Sequence, residues 1–354
     1  MNLYNNKEYL EDIQYVEKIN LPWDRLYKKN IVISGGTGLI GSFLADVLLK
    51  KARDGLDCTI HLLTRNEDKA KSRFYQFRND SNLKIVKCDI GEKIDLSQIK
   101  KADYVLHLAS NTHPLQYSAD PIGTITTNII GLQNMLEYAV KHNASRFVFA
   151  SSNEIYGENR GDAEFFDEDY CGYINSNTMR AGYPESKRCG EALCQAYKSQ
   201  KGLDVVISRL TRTYGPTMLM SDTKAISQFI KKGIAGEDIV LKSAGTQYYS
   251  YQYVADSVSG LLYVLFCGEN GEAYNIAEEH SDITLKDLAA IIAGINGKKV
   301  VFELLDETEA AGYSKATKAR LDGAKLRQLG WVPEYDIKKG IHRTIAILKS
   351  VDGE

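Results

Sequence analysis

Six short runs rich in Val, Ile and Leu recur along the first 210 residues. They are "NIVISGG" (30 to 36), "CTIHLLT" (58 to 64), "LKIVKCD" (83 to 89), "ADYVLHLAS" (102 to 110), "RFVFASS" (146 to 152) and "LDVVISRL" (203 to 210). Runs this continuously apolar mark strands covered on both faces. Between them lie stretches of helical period such as "LIGSFLADVLLKKA" and "IGTITTNIIGLQNMLEYAVKH". Strands and helices in alternation require right-handed crossovers, so the pattern predicts an α/β fold on a doubly wound parallel sheet.

Before the first strand, residues 1–28 read as a helical extension, with Leu10, Ile13 and Val16 expected to form its apolar face. After residue 210 the pattern loosens, and Gly215-Pro216, Gly233, Gly236, Gly245 and Gly271 punctuate short elements. This part is expected to form a smaller lobe over the C-terminal ends of the strands, where such sheets bind ligands.

Composition narrows the function. The 354 residues, 44% hydrophobic and 25% charged, can bury a large core, and a net charge of −2 provides no positive field for nucleic acid or an anionic membrane. The N-terminus has no signal-peptide pattern and no segment has 18 uninterrupted apolar residues, so a cytoplasmic protein is expected. Cys58, Cys88, Cys171, Cys189, Cys194 and Cys267 lack metal-ligand spacing; they read as reduced small residues, and no metal is expected.

Local chemistry begins at "IVISGGTGLIGSFLADVLL", where a strand runs through Gly35, Gly38 and Gly41 into a helix. Gly35 permits the tight turn, Gly38 lets the backbone approach a pyrophosphate, and Gly41 lets helix and strand pack closely. Thr37, Leu39 and Ile40 complete the loop and the first helical turn, whose free N–H groups suit phosphate. The expected organisation is thus the extension (1–28), an NAD(P)-binding Rossmann domain (29–210), and a mainly substrate-binding lobe (211–354), some segments of which can return to the first domain. NAD-specific sites end the second strand with an acidic residue, whereas here Thr64 and Arg65 stand there, which leaves NADP open. Arg65 reads equally as a surface arginine. Asp89 is a candidate for the adenine end, or a solvated turn residue.

Further on, "YPESK" places Lys187 one helical turn after Tyr183. A phenol with a pKa of about 10 is a poor base at neutral pH, and an ammonium on the same helix face favours the phenolate. His107 reads as a packed strand residue.

Taken together, "GGTGLIG", "YVLHLAS", "SSNEIYG", "YPESKR", "RTYGP", "SYQYVADSV", "GEAYNIA" and "KLRQLGWVPEYDIKKGI" resemble the NAD-dependent epimerase/dehydratase family of the extended short-chain dehydrogenase/reductase superfamily, which acts on nucleotide sugars. The resemblance covers residue 29 to about 345 and implies bound NAD, a nucleotide-diphosphate sugar substrate and a homodimer. It implies temporary oxidation at the sugar C4, with Tyr183 as base, Lys187 lowering its pKa and holding the nicotinamide ribose, and Ser152 hydrogen-bonding the C4 oxygen. Glu154 matches the dehydratase residue that takes the C5 proton, or orders the site as in decarboxylases. Asn153 replaces the aspartate that serves as C6 acid in one dehydratase group and cannot protonate a leaving group. The surrounding sequence looks most like UDP-glucuronate decarboxylases and sugar 4,6-dehydratases.

Two departures stand out. Where the family usually carries an arginine before "SYQYV", this chain has Tyr249; where it commonly carries an asparagine, it has Arg212. Arg212 is expected to supply the missing positive charge to a phosphate or carboxylate, or else to pair internally. His113 is a further candidate for reaching the sugar, or a surface residue. Alternatives are a 4-epimerase, a catalytically degenerate dinucleotide-binding regulator, and a reductase of small carbonyls.

Overall fold

A computed structural model describes residues 2–92, 94–110, 119–303 and 318–352. Strands β1 (Asn30–Ser34), β2 (Thr59–Thr64), β3 (Leu83–Lys87), β4 (Tyr104–His107), β5 (Arg146–Ser152) and β6 (Val205–Leu210) form one sheet in the order 3-2-1-4-5-6. A seventh strand, Ala273–Ile276, joins the β6 edge, and every pairing is parallel. This is the doubly wound sheet predicted from the strand pattern.

The strand side chains show why those runs are apolar throughout. Ile31, Ile33, Ile60, Leu62 and Leu106 enter one core, beneath Leu44 and Val47 of the Leu39–Lys51 helix and Val258 and Leu261 of the Val254–Cys267 helix. Val32, Leu63, Val105, Phe147 and Phe149 enter the other, beneath Leu132 and Leu136 of the Pro121–Lys141 helix and Cys194 of the Gly182–Lys201 helix. Alternate residues of a strand point to opposite faces, so covering both faces demands apolar residues at nearly every position.

The extension forms a helix over Lys7–Glu17 that packs on the Leu39–Lys51 and Val254–Cys267 helices of its own chain. Its buried face differs from the expected one. Leu10 is 40% exposed, while Tyr9, Asp12, Ile13 and Val16 point inward. Asp12 is buried because it is satisfied: the hydroxyls of Tyr253 and Tyr335 donate to its carboxylate, as does Arg343 Nε at 2.8 Å. Nearby, Asp46 accepts from Tyr9 and Arg73 in the same manner.

In the second half, Tyr248–Tyr253 is the centre of a small sheet, flanked by antiparallel Asp282–Thr284 and parallel Lys318–Ala319, with Arg212–Tyr214 also paired to it. The chain returns to the main sheet at Val254–Cys267 and Ala273–Ile276. Among the described residues no helix is long and apolar enough to cross a membrane.

Candidate active site

The strand order reverses direction between β1 and β4, opening a crevice at their C-terminal ends. Gly35 lies there with φ +75°, and a Cβ on it would sit 2.7 Å from the backbone nitrogen of Ala109 beyond β4. At Gly41 a Cβ would meet the Gly35 carbonyl oxygen at 2.3 Å, so the loop packs on the helix only without side chains at either position. Gly38 caps the Leu39–Lys51 helix without any side-chain acceptor, which leaves the first-turn amides to a ligand. Thr37, Leu39 and Ile40 line this turn, half-buried. The loop thus has the donors and the bare backbone that a dinucleotide pyrophosphate requires.

The other cofactor candidates lie at strand ends. Arg65 is exposed directly after β2, where the Thr64 hydroxyl is engaged locally, donating to the Asn66 carbonyl at 3.0 Å. Asp89 is exposed and accepts from the Gly91 amide at 2.9 Å, closing a turn.

Tyr183 opens the Gly182–Lys201 helix and is buried. Burial pushes its phenol up to about 12, Glu154 adds to that rise, and the hydroxyls of Ser152 and Ser110 together with Arg180 oppose it. Lys187 lies one turn on, its Nζ 5.9 Å from the Tyr183 ring centroid and donating to the Ala150 carbonyl at 2.8 Å. Burial lowers its ammonium to about 8, with Glu191 acting in the opposite direction. At pH 7 the resting pair is therefore a phenol and an ammonium. Positive charge nearby favours the phenolate, and Arg180 acts on Tyr183 in that direction.

Ser152 ends β5, and its hydroxyl accepts from the Glu154 amide at 3.2 Å, capping the 3₁₀ turn Asn153–Tyr156. That turn buries Asn153 and leaves the Glu154 carboxylate half-buried. Both Glu154 oxygens face Arg180 Nη2 at 3.3 Å. Sequence reasoning did not single out Arg180 or Ser110. The available signals were Arg180 at three residues before Tyr183, and Ser110 closing "YVLHLAS" at the end of the β4 run. Ser110 donates to Asn128 at 2.7 Å, and Asn128 in turn donates to Ser186 at 2.9 Å, on the helix that carries Tyr183.

Arg212 and Tyr249 meet in the small sheet, the guanidinium carbon 3.7 Å from the ring centroid. Arg212 Nη1 is buried without a hydrogen-bond partner among the described residues, as are Gln247 Oε1, Asp282 Oδ2 and Arg320 Nε of the same lobe. The lobe is tied to the glycine loop by the Thr217 hydroxyl, which donates to the Leu39 carbonyl at 2.7 Å. His107 packs between Phe147 and Phe149, bonded to Ser34 at 2.9 Å, whereas His113 lies outside the described residues.

Residues 31–277 match the model of the NAD dependent epimerase/dehydratase family. The chain is 32% identical over 322 residues to UDP-glucuronic acid decarboxylase 1 of Xenopus tropicalis, which covers 90% of this chain and 72% of the relative. Against UDP-glucuronic acid decarboxylase 5 of Arabidopsis thaliana the identity is 29% over 312 residues, with 88% and 86% covered. Among solved structures, the dTDP-glucose 4,6-dehydratase DesIV of Streptomyces venezuelae with NAD bound superposes with a TM-score of 0.77 at 26% identity, covering 92% of this chain and 98% of that one. A UDP-glucuronic acid 4-epimerase from Bacillus cereus shares the fold with a TM-score of 0.78 at 22% identity, covering 91% and 99%.

Proposed function

The chain belongs to the NAD dependent epimerase/dehydratase family, and from that premise we propose that it decarboxylates a nucleotide-linked hexuronate, UDP-glucuronate in the first instance. The observation that carries the chemistry is the buried Tyr183 hydroxyl set among Ser152, Ser110 and two cations beside an open dinucleotide loop. NAD is the inferred cofactor; it supplies removal and later return of a hydride at the sugar C4. Arg65 would pair with a 2'-phosphate, so NAD and NADP are compared in the same assay.

This chain's own residues do the rest. Tyr183 takes the proton of the C4 hydroxyl, while Lys187 stabilises the phenolate and Ser152 holds the oxygen in place. With a ketone at C4, the C5–C6 bond of the uronate breaks and carbon dioxide leaves. The bonding pair moves toward the C4 oxygen, where Ser152 and the now neutral Tyr183 donate hydrogen bonds. A proton then replaces the carboxylate at C5, and Tyr183 returns its proton to the C4 oxygen when the ketone is reduced. No acid at C6 is needed, consistent with Asn153 in the turn.

In this reading Arg212, braced on Tyr249, holds a substrate phosphate. Arg212→Ala is expected to raise KM about tenfold, as loss of one charge-assisted contact would, and unchanged KM and kcat would remove the assignment. We further propose a homodimer through the Pro121–Lys141 and Gly182–Lys201 helices, which pack together and leave Ile122, Ile125 and Ile130 exposed. Light scattering of the purified protein tests it.

The direct test of function is mass spectrometry of products from UDP-glucuronate with NAD-loaded protein. Loss of carbon dioxide is expected. An unchanged mass with a shifted sugar signal in NMR would make the protein an epimerase, and loss of water from a neutral hexose substrate would make it a dehydratase.

A further inference from the structure

Three consecutive residues at the end of β5 each meet one side chain of the Gly182–Lys201 helix. The Ala150 carbonyl accepts from Lys187 Nζ at 2.8 Å, the Ser151 hydroxyl donates to the Glu191 carboxylate, and the Ser152 hydroxyl acts on the Tyr183 phenol. Tyr183, Lys187 and Glu191 stand four residues apart, so a single face of the helix is seated on a single strand end. Tyr183 and Lys187 serve the proposed proton transfer. Glu191 has no place in it.

Glu191 is held more firmly than a surface carboxylate. Arg209 of β6, its side chain 11% exposed, donates to both carboxylate oxygens, from Nε at 3.1 Å and from Nη2 at 2.8 Å. Its Nη1 donates in turn to the Tyr156 hydroxyl at 3.0 Å and to the Glu168 carbonyl at 2.6 Å. A bidentate guanidinium that is itself anchored gives the carboxylate one position.

Lys187 is faced by Tyr183, Glu191 and Cys194 of its own helix, by His107 of β4 and by the Phe149 ring of β5, whose centroid lies 4.9 Å from Nζ. Burial keeps the His107 ring and the Cys194 thiol neutral at pH 7, and Tyr183 retains its proton there. Among these groups Glu191 alone brings negative charge, against the burial that drives the ammonium toward the neutral amine. We propose that Glu191 is a positioning residue that acts through Lys187: its carboxylate, fixed by Arg209 and Ser151, keeps the buried side chain an ammonium and seats the helix of Tyr183 on β5. The catalytic meaning of this assignment rests on the proposed decarboxylase reading, in which the ammonium favours the phenolate.

The test is an NMR titration of protein labelled with carbon-13 at lysine Cε, the Lys187 signal being identified by its loss in Lys187→Met. In the wild type this signal should titrate near pH 8, below the exposed lysines. In Glu191→Gln the midpoint is expected to fall by about one pH unit, the size of shift that one lost opposite charge gives. Glu191→Asp keeps the charge and should stay closer to wild type. Should the unpaired Arg209 unfold the single variant, Glu191→Gln/Arg209→Gln removes both charges, and its midpoint should fall in the same direction by less. With NAD and UDP-glucuronate, kcat/KM of Glu191→Gln should be about tenfold below wild type at pH 9 and much closer to it at pH 6. A midpoint unmoved in both the single and the double variant would overturn the proposal, since a merely structural ion pair would leave it in place. A wild type that released no carbon dioxide from UDP-glucuronate would remove the decarboxylase reading, while the titration would still decide whether Glu191 keeps Lys187 charged.

Discussion

Tyr183 and Tyr253 are both buried tyrosines with a cationic side chain close by, yet their hydroxyls meet different partners. The Tyr253 hydroxyl donates to the Asp12 carboxylate, and burial together with that negative charge holds its phenol well above the ordinary value despite Arg343. Tyr335 bonds the same carboxylate, and Tyr9 does likewise with Asp46. Around Tyr183 the hydroxyls of Ser152 and Ser110 and the Arg180 cation oppose the rise, the Glu154 carboxylate adds to it without bonding the phenol, and Lys187 Nζ lies 5.9 Å from the ring centroid. Burial is common to both regions. In the proposed reading, what separates the two phenols is the partner of the hydroxyl: a bonded carboxylate opposes deprotonation, whereas hydroxyl donors and nearby cations favour it.

Exchanging the same single atom in each region gives the largest contrast. Tyr183→Phe is expected to lower turnover about 10³-fold, within the range for loss of a general base, with the melting temperature little changed. Tyr253→Phe leaves one Asp12 oxygen without that donor and should cost about 1–3 kcal/mol of stability while turnover stays near wild type. If Tyr253→Phe reduced turnover as much as Tyr183→Phe, the division into structural and catalytic phenols would fail.

A second effect concerns pH. Lys187 titrates near 8 because it is buried, and only its ammonium form supports the phenolate. The kcat/KM profile, which reports the free enzyme, should fall above about pH 8, and a profile flat to pH 10 would show that burial does not lower the Lys187 ammonium.

A further effect concerns the docked extension. Asp256 accepts from the Tyr15 hydroxyl and from the amides of Glu334 and Tyr335, and burial raises its carboxyl from 3.8 to about 7. The native protein thus keeps a proton that the unfolded chain has released from about pH 4 upward. This group's contribution is fully present below the unfolded value and is lost as pH rises through about 7. The gap in melting temperature between wild type and Asp256→Asn should therefore narrow from pH 4 to pH 7. A constant gap would show that Asp256 is ionised in the fold throughout that range.

The six strands of the first half were legible because burial on both faces writes an apolar residue at almost every position. The seventh, Ala273–Ile276, is not legible in the same way, since nothing local says which edge so short a run will join. Asp12 rather than Leu10 is buried, although helical period alone favours the leucine, because aspartate is rarely buried unless partners enclose it. Those partners, Tyr253, Tyr335 and Arg343, lie more than 240 residues away.

The candidate site divides along the same line. The sequence by itself determined the glycine loop, the Tyr183 and Lys187 spacing and the turn from Ser152 to Glu154, because each is a short-range pattern in which backbone geometry fixes neighbours. Only the tertiary structure decided that Arg180 meets Glu154 and that Arg212 stacks on Tyr249. In both cases the partners come from different elements, and the charge each side chain meets depends on how separate elements pack, which no local spacing encodes.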